Sequence, residues 1–424
     1  MNFIQDMNDA GRRLEAIAAI QKKLLGKKLS YSEIYKLMDE ISHNRLSDVL
    51  TTYFVASSFK EGYSAEELYF FTKAMVETGN KLDFAGIIAD KHSTGGAAGT
   101  RTTMIIVPII ASAGFKIPKI SSRAITSAAG TADVMEVLAE VNFTIPKIRT
   151  IIDKVGGCIV WNGNLGIAPA DDIIIRVEEP LHIESFDKVI MSIMAKKVAV
   201  STNHLVLDIP VGRTMKIRHF SDAEKIAEKF INLGKKFGIT VVADINEALE
   251  PAGNGVGPAL EARDVLLVLE QKKNRSLKLE AKALRLAGKL LDICYKDANI
   301  KKNGEDEAKK ILESGTAYTK FLEIVKAQGG KDNVSADTFK IKGHHIEIPS
   351  PVSGKIKEIN NYNVNAIAKI LGAPDDKYAG LYFLKKLDEH VQKREPLVYF
   401  YSSKAYRIKE AKETLQFLPI YTFE

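Results

Sequence analysis

The stretch Asp90–Thr103, DKHSTGGAAGTRTT, places one lysine, one arginine, one histidine, five hydroxyls and three glycines within fourteen residues. Glycines let backbone N–H groups come close to an anion, and hydroxyls and lysine supply the remaining donors. A second stretch of similar character follows at Ser121–Asp133, SSRAITSAAGTAD. Two such loops on one scaffold suit phosphate, and more than one phosphate. Lys91, His92, Ser93 and Thr94 set the first loop apart from a plain glycine turn. Its spacing is neither G-x-G-x-x-G nor G-x-x-x-x-G-K-[ST], because the lysine precedes the glycines. His92 is a better candidate for chemistry than His43, His219 or His390, which lie among charged residues. Arg123 could hold a phosphate bidentately; a surface ion pair is the ordinary alternative. Ser122, Arg123, Thr126 and Ser127 together supply more donors than one attacking phosphate requires.

A third group lies further along. Ser192 and Lys196 are four apart, so a helix sets them on one face. With Arg176 upstream, they could read the carbonyl and ring nitrogen of a heterocycle; a solvated helix face is the alternative. The pairs Asp171-Asp172 and Glu178-Glu179 resemble metal ligands only superficially. No histidine or further carboxylate cluster supports them, so helix-end or surface roles are preferred.

The elements that must carry these groups alternate. Residues 1 to about 80 read as helices, with Ser30 a candidate N-cap and Gly79 a natural stop. Phe84–Ala89 is a short apolar segment entering the first loop, and Met104–Ala113 reads as a buried helix after it. Ile117–Ile120, Cys158–Trp161, His204–Ile209 and Ile239–Asp244 are strand candidates, with Ala223–Phe237 a helix between the last two. This alternation indicates a mostly parallel sheet, with both loops at carboxyl ends of strands. Leu165–Lys197 interrupts the α/β run and is assigned to the lobe of the N-terminal helices. After a boundary in Lys331–Gly343, β alternation at Ile346–Ile356 and Glu395–Ser402 and a helix at Ala405–Leu415 indicate a small α+β domain. The expected division is an all-α lobe at 1–80 and 165–200, an α/β lobe at 81–164 and 201–343, and a terminal domain at 344–424.

Composition narrows the class. At 424 residues the chain exceeds one compact core. Lys+Arg outnumber Asp+Glu by 60 to 53, a spread excess that fits an anionic small substrate or simply a solvated surface. Cys158 and Cys294 lie far apart with no metal spacing, which points to a reduced, cytoplasmic protein. The N-terminus lacks a signal pattern, and no apolar run approaches the roughly 20 residues of a membrane span.

The motifs Asp90–Gly96, Ile120–Arg123, Gly130–Asp133 and Ala195–Lys197, in that order, resemble the thymidine and pyrimidine nucleoside phosphorylase family over nearly the whole chain. Ser122–Asp133, Gly157–Trp161 and Ala168–Asp172 are most similar to its AMP phosphorylase branch and the related type 2 thymidine phosphorylases. The resemblance implies an all-α lobe hinged to an α/β lobe, a small terminal domain and a homodimer joined by N-terminal helices. It implies phosphorolysis of AMP to free base and ribose 1,5-bisphosphate; action on unphosphorylated pyrimidine nucleosides, or an inactive anion-binding relative, are the alternatives. Inorganic phosphate would be co-substrate, without an organic cofactor, nucleic acid or membrane partner.

Residue roles follow from the same resemblance. Lys91, Ser93, Thr103, Ser121 and Thr131 match positions that bind the attacking phosphate. Gly96, Ser122, Arg123, Ala124, Ile125, Thr126, Ser127, Thr131, Ser192 and Lys216 match nucleotide-binding positions. Arg176, Ser192 and Lys196 match positions that hold the base. Glu184 stands where the branch has an aspartate as general acid, which adds one methylene. Glu261 matches a carboxylate near a potassium site of some members. The branch's additional N-terminal domain, linked there to large assemblies, is expected to be missing.

Overall fold

The structure, a computed structural model, describes residues 3–57, 62–124, 127–178 and 185–424, with side chains from residue 11 onward. The chain opens with helices α1 (Phe3–Leu24), α2 (Tyr31–Ser42), α3 (Asp48–Ser57) and α4 (Ala65–Glu77). Ser30 and Ser64 each close a capping box, with Glu33 and Glu67 reaching back to the cap backbone. Buried Glu67 also pairs with Lys23 at 2.8 Å, so one carboxylate both starts α4 and ties it to α1.

Strands and helices then alternate: β1 (Ala89–Ser93), α5 (Thr103–Ser112), β2 (Ile117–Ser121), α6 (Thr131–Met135), α7 (Ile145–Val155) and β3 (Gly157–Trp161). Helices α8 (Pro169–Glu178) and α9 (Phe186–Ala199) interrupt before β4 (His204–Val211), α10 (Phe220–Lys236), β5 (Thr240–Glu247) and β6 (Gly255–Val256). Helices α11 (Pro258–Leu269), α12 (Leu277–Asp297), α13 (Gly304–Glu313) and α14 (Thr316–Ala327) follow. The terminal part holds β7 (His344–Pro349), β8 (Gly354–Ile359), α15 (Asn361–Leu371), β9 (Gly380–Phe383), β10 (His390–Val391), β11 (Pro396–Ser402), α16 (Ala405–Thr414) and β12 (Tyr421–Phe423).

Two compact units result. The first comprises Met1–Gly86, Asn162–Asn203 and Lys225–Val241; the second comprises Ile87–Trp161, His204–Glu224 and Val242–Glu424. The first unit is a helical bundle in which α2 packs on α4 and α8, and α4 on α9. It also takes in most of α10, which the sequence reading places with the α/β lobe. Lys229 of that helix pairs with Asp187 of α9 at 2.5 Å, and the Phe237 ring lies 4.9 Å from that of Tyr69. The second unit holds a sheet in the order β1-β4-β5 and the pair β2-β3. β1 runs parallel to β4 and β2 parallel to β3, with a parallel bridge from Ile88 to Lys116 between them. The class is therefore the expected one, mixed α/β with a helical bundle and a terminal α+β part.

One strand differs from the sequence reading. The apolar segment Phe84–Ala89 reads as the element entering the first loop, whereas the ladder runs from Ala89↔His204 to Ser93↔Asp208. Polar residues hold this strand because their charges find partners inside: Asp90 meets Lys119 at 3.1 Å and Lys91 meets Asp208 at 3.4 Å. The terminal part is antiparallel, in the orders β6-β9-β11-β7 and β10-β8-β12. Its core of Ile356, Ile367, Leu371, Phe383 and Phe400 also takes in Ala98, Ala128 and Val256 from the α/β part.

Candidate functional site

In the second unit the two donor-rich loops are physically joined. Arg101 of the first loop donates Nη1 to Thr131 Oγ1 at 3.0 Å and Nη2 to the Ala129 carbonyl at 2.7 Å. Its Nε meets Glu261 Oε2 at 2.9 Å. One guanidinium thus fixes the first loop against the second. Arg101 lies within the motif but draws no role from the sequence; the available signal is its place among hydroxyls and glycines.

Lys91 lies at the floor of this arrangement, 3 % exposed. Alternation along β1 puts Lys91 and Ser93 on one face and His92 on the other. Asp208 receives Lys91 at 3.4 Å, Lys282 at 3.1 Å and Asn246 Nδ2 at 2.8 Å. One carboxylate therefore serves two ammonium groups. Burial pushes the Lys91 pKa down, Asp208 only partly offsets this, and Lys282 and Arg101 add repulsion. Burial would raise Asp208, but Lys91 and Lys282 outweigh it and hold its pKa at about 2. The surplus of positive charge is the electrostatic condition for an anion. Ser93, with its Oγ accepting from Gly95 N–H at 3.3 Å, and Thr103, at the first turn of α5, flank the floor. The buried hydroxyl oxygens of Thr94 and Thr102 have no hydrogen-bond partner within the described residues, which suits donation to an oxyanion.

The second loop is organised by Asp133. Its Oδ2 accepts the Ala124 and Gly130 N–H groups at 2.7 and 2.9 Å. Arg123 reaches Asp133 at 3.1 Å and Glu136 at 2.5 and 2.7 Å, with its guanidinium 4.8 Å from the centre of the Trp161 ring. The hydrogen bond from Arg123 holds Glu136 down at about 2. Of the two readings of Arg123, the structure contains the ion pair: its fork is engaged by carboxylates. Ser121 Oγ donates to the Ser122 carbonyl at 3.2 Å, Ser122 is exposed, and Ser127 Oγ donates to the Ala129 carbonyl at 3.0 Å. Ile125 and Thr126 lie outside the described residues, as does Glu184.

Gly96 and Lys216 are brought together: a Cβ on Gly96 would come within 3.1 Å of Lys216 Cγ. Glu261, the cation candidate, is 2 % exposed. Its Oε2 is taken by Arg101 and its Oε1 by the Gly257 N–H at 3.1 Å, so both oxygens are already in use.

In the first unit, Ser192 Oγ donates to Asp171 Oδ2 at 2.8 Å, and Lys196 Nζ reaches the same oxygen at 2.5 Å. Burial works against the Lys196 ammonium, yet Asp171 outweighs it and the pKa is raised. The sequence reading gives Asp171 a helix-end or surface role. It does lie in the first turn of α8, but as a buried group, 2 % exposed, because α9 brings a hydroxyl and an ammonium against it. Arg176 is exposed and engaged by Asp48 at 2.6 Å and Asn44 at 3.1 Å, away from that trio's shared carboxylate.

Three family models match the chain: the glycosyl transferase family helical bundle domain at residues 17–79, its a/b domain at 85–318, and the pyrimidine nucleoside phosphorylase C-terminal domain at 355–417. The a/b match alone covers more than half of the sequence. The chain belongs to this glycosyl transferase family. It is 43% identical over 400 residues to AMP phosphorylase 1 of Archaeoglobus fulgidus, covering 94% of this chain and 78% of that protein. It is 41% identical over 399 residues to AMP phosphorylase of Methanocaldococcus jannaschii, with the same coverage of each chain. In fold it resembles the crystal structure of anthranilate phosphoribosyltransferase from Thermus thermophilus, with a TM-score of 0.62 at 17% identity over 74% of this chain and 99% of that one. The enzyme is thus a pentosyl-transferring member with the family's bundle, α/β and terminal parts.

Proposed function

We propose that this enzyme catalyses phosphorolysis of AMP by inorganic phosphate, giving adenine and ribose 1,5-bisphosphate. The observation that carries the reading is the pair of loops joined by Arg101 around a buried, under-neutralised Lys91. Relatives named AMP phosphorylase, aligned over 94% of the chain, supply the substrate. A phosphate oxygen attacks C1′ while the N-glycosidic bond breaks and its electron pair leaves with the base. Positive charge develops on the ribose, and the incoming phosphate dianion stabilises it as it bonds. Lys91, Ser93, Thr103, Ser121 and Thr131 orient that phosphate, so the binding cost is met before the reaction begins. Ser192 and Lys196, set by Asp171, hold the base, and Glu184 supplies the proton that neutralises it. Inorganic phosphate is the co-substrate, with no organic cofactor. We assign the protein to the cytoplasm as a homodimer; within the described residues no helix is long and apolar enough to cross a membrane.

A second reading, a pyrimidine nucleoside phosphorylase, is favoured by the C-terminal match at 355–417. A phosphate-dependent base-release assay across AMP, CMP, UMP, adenosine, uridine and thymidine separates them. A hydrogen bond to a charged 5′-phosphate is worth about 1.5–3 kcal/mol. AMP should therefore exceed adenosine by about tenfold to hundredfold in kcat/KM. Faster turnover of uridine or thymidine than of any monophosphate would install the second reading instead.

A further inference from the structure

Helix α15 belongs to the terminal α+β part, yet two of its side chains end on the two loops. Asn361 and Asn365 are four residues apart and so share a helix face. Both are buried, 1 % and 8 % exposed. Asn361 Oδ1 accepts the Ala98 N–H of the first loop at 2.7 Å, and its Nδ2 donates to the Gly96 carbonyl. Asn365 Oδ1 accepts the Ala128 N–H of the second loop at 2.9 Å, while its Nδ2 donates to the Asn361 carbonyl at 3.0 Å. The start of the same helix holds a third segment. Thr214 Oγ1 accepts the Asn361 N–H at 3.2 Å, and Tyr362 Oη donates to the Met215 carbonyl at 2.7 Å, directly before Lys216. Ala98 and Ala128 also sit in the apolar core of the terminal part.

We propose that Asn361 and Asn365 are positioning residues: they clamp the phosphate-binding and nucleotide-binding loops to one helix of the terminal part and so set the distance between the two loops. The argument is one of geometry and need. The glycine and alanine stretches of these loops have few side chains of their own to hold the backbone, and its conformational freedom must be removed before it can bind an anion well. Backbone groups of both loops are fixed here by amides, which donate and accept at once. Each amide projects from the buried face of α15. The terminal part thereby acts on substrate affinity while touching no substrate. This rests on the reading of the two loops as the phosphate and nucleotide site.

Steady-state kinetics and amide hydrogen exchange on Asn361→Leu, Asn365→Leu and Asn365→Asp, with Asn363→Ala as control, test it. Asn363 Nδ2 donates to the Pro419 carbonyl at 2.7 Å, on the same helix but inside the terminal part. Asn365→Leu should raise the KM for inorganic phosphate about tenfold, with kcat changed less than about threefold, and should speed exchange at the Ala128 amide. This tenfold corresponds to about 1.4 kcal/mol. Asn361→Leu should do the same at Ala98. Asn365→Asp keeps the acceptor for the Ala128 N–H but sets its second oxygen against the Asn361 carbonyl, so it should recover only part of the lost affinity. Asn363→Ala should lower only the melting temperature. If Asn365→Leu does not fold, Asn365→Ser, whose hydroxyl is too short to reach, takes its place with the same expectation. Lower melting temperatures in the loop-facing variants with unchanged phosphate KM and unchanged exchange at Ala98 and Ala128 would overturn the proposal. A wild-type enzyme that releases base from no nucleotide would remove the functional reading, while the exchange rates would still decide the clamp.

Discussion

Asp208 is the residue on which most of the proposed phosphate floor depends. Its carboxylate is shared by Lys91 and Lys282, and removing one member of a buried charge group costs about 3–5 kcal/mol. Because its pKa is held at about 2, below the ordinary aspartate value, the unfolded chain binds that proton more readily than the folded one. Its contribution to stability is therefore complete above about pH 4 and is lost as pH falls towards about 2. Asp208→Asn should lower the melting temperature at neutral pH and flatten its fall between about pH 5 and pH 3, which calorimetry reads. The same substitution leaves Lys91 without its carboxylate, so the ammonium form becomes harder to keep. The alkaline limb of the kcat/KM profile should then move to lower pH, provided Lys91 acts protonated. An alkaline limb unchanged in Asp208→Asn would remove Lys91 from that role. In the first unit, Asp171→Asn should reduce kcat/KM for the nucleotide about a hundredfold, since truncating a buried charged hydrogen-bond partner costs about 2–5 kcal/mol. The KM for phosphate should stay within about twofold, which separates a base-holding trio from a general loss of fold.

At the scale of elements, the second loop shows how little freedom its backbone has. A Cβ on Gly130 would lie 2.6 Å from the Arg123 carbonyl carbon, 2.7 Å from Ala124 N and 2.7 Å from Ser122 O. These are backbone atoms, so no side chain can swing aside. The φ of Gly130 is −88°, which any residue adopts, and the requirement is purely one of space. Gly130→Ala should force the loop apart, raise the KM for phosphate by about tenfold or more and lower the melting temperature. A phosphate titration beside a thermal melt checks both. The loops, the helix after the first of them and most strands are legible in the sequence because glycine, hydroxyl and apolar runs follow local rules. The strand β1 is not, since Asp90 and Lys91 look like loop residues until Lys119 and Asp208 arrive from other elements. Asp171 is hidden for the same reason: a charge reads as surface, and its burial is created by Ser192 and Lys196 on a later helix. Arg123 carries two readings in the sequence, and only the neighbouring Glu136 decides between them.

The whole molecule adds what no single element could disclose. The terminal part reads in sequence as a separate small domain, and its residues do form their own antiparallel sheets. Yet it takes β6 from the α/β part and sends α15 into the loops, so its fold and the site's geometry are coupled. Assembly is the remaining property at this scale. Leu14 on α1, Leu25 just after it, and Val49 and Tyr53 on α3 are 54–73 % exposed. A group of large apolar side chains on one bundle marks a contact surface more often than scattered single residues do. The homodimer proposed above would set these bundle residues against their copies about a twofold axis. Light scattering at micromolar concentration should give roughly twice 46.8 kDa. The double variant Leu14→Glu, Val49→Glu should give one chain mass, because four like charges would meet across the axis. A wild-type mass near one chain would end the dimer assignment. A double variant still at twice the chain mass would move the interface to another face.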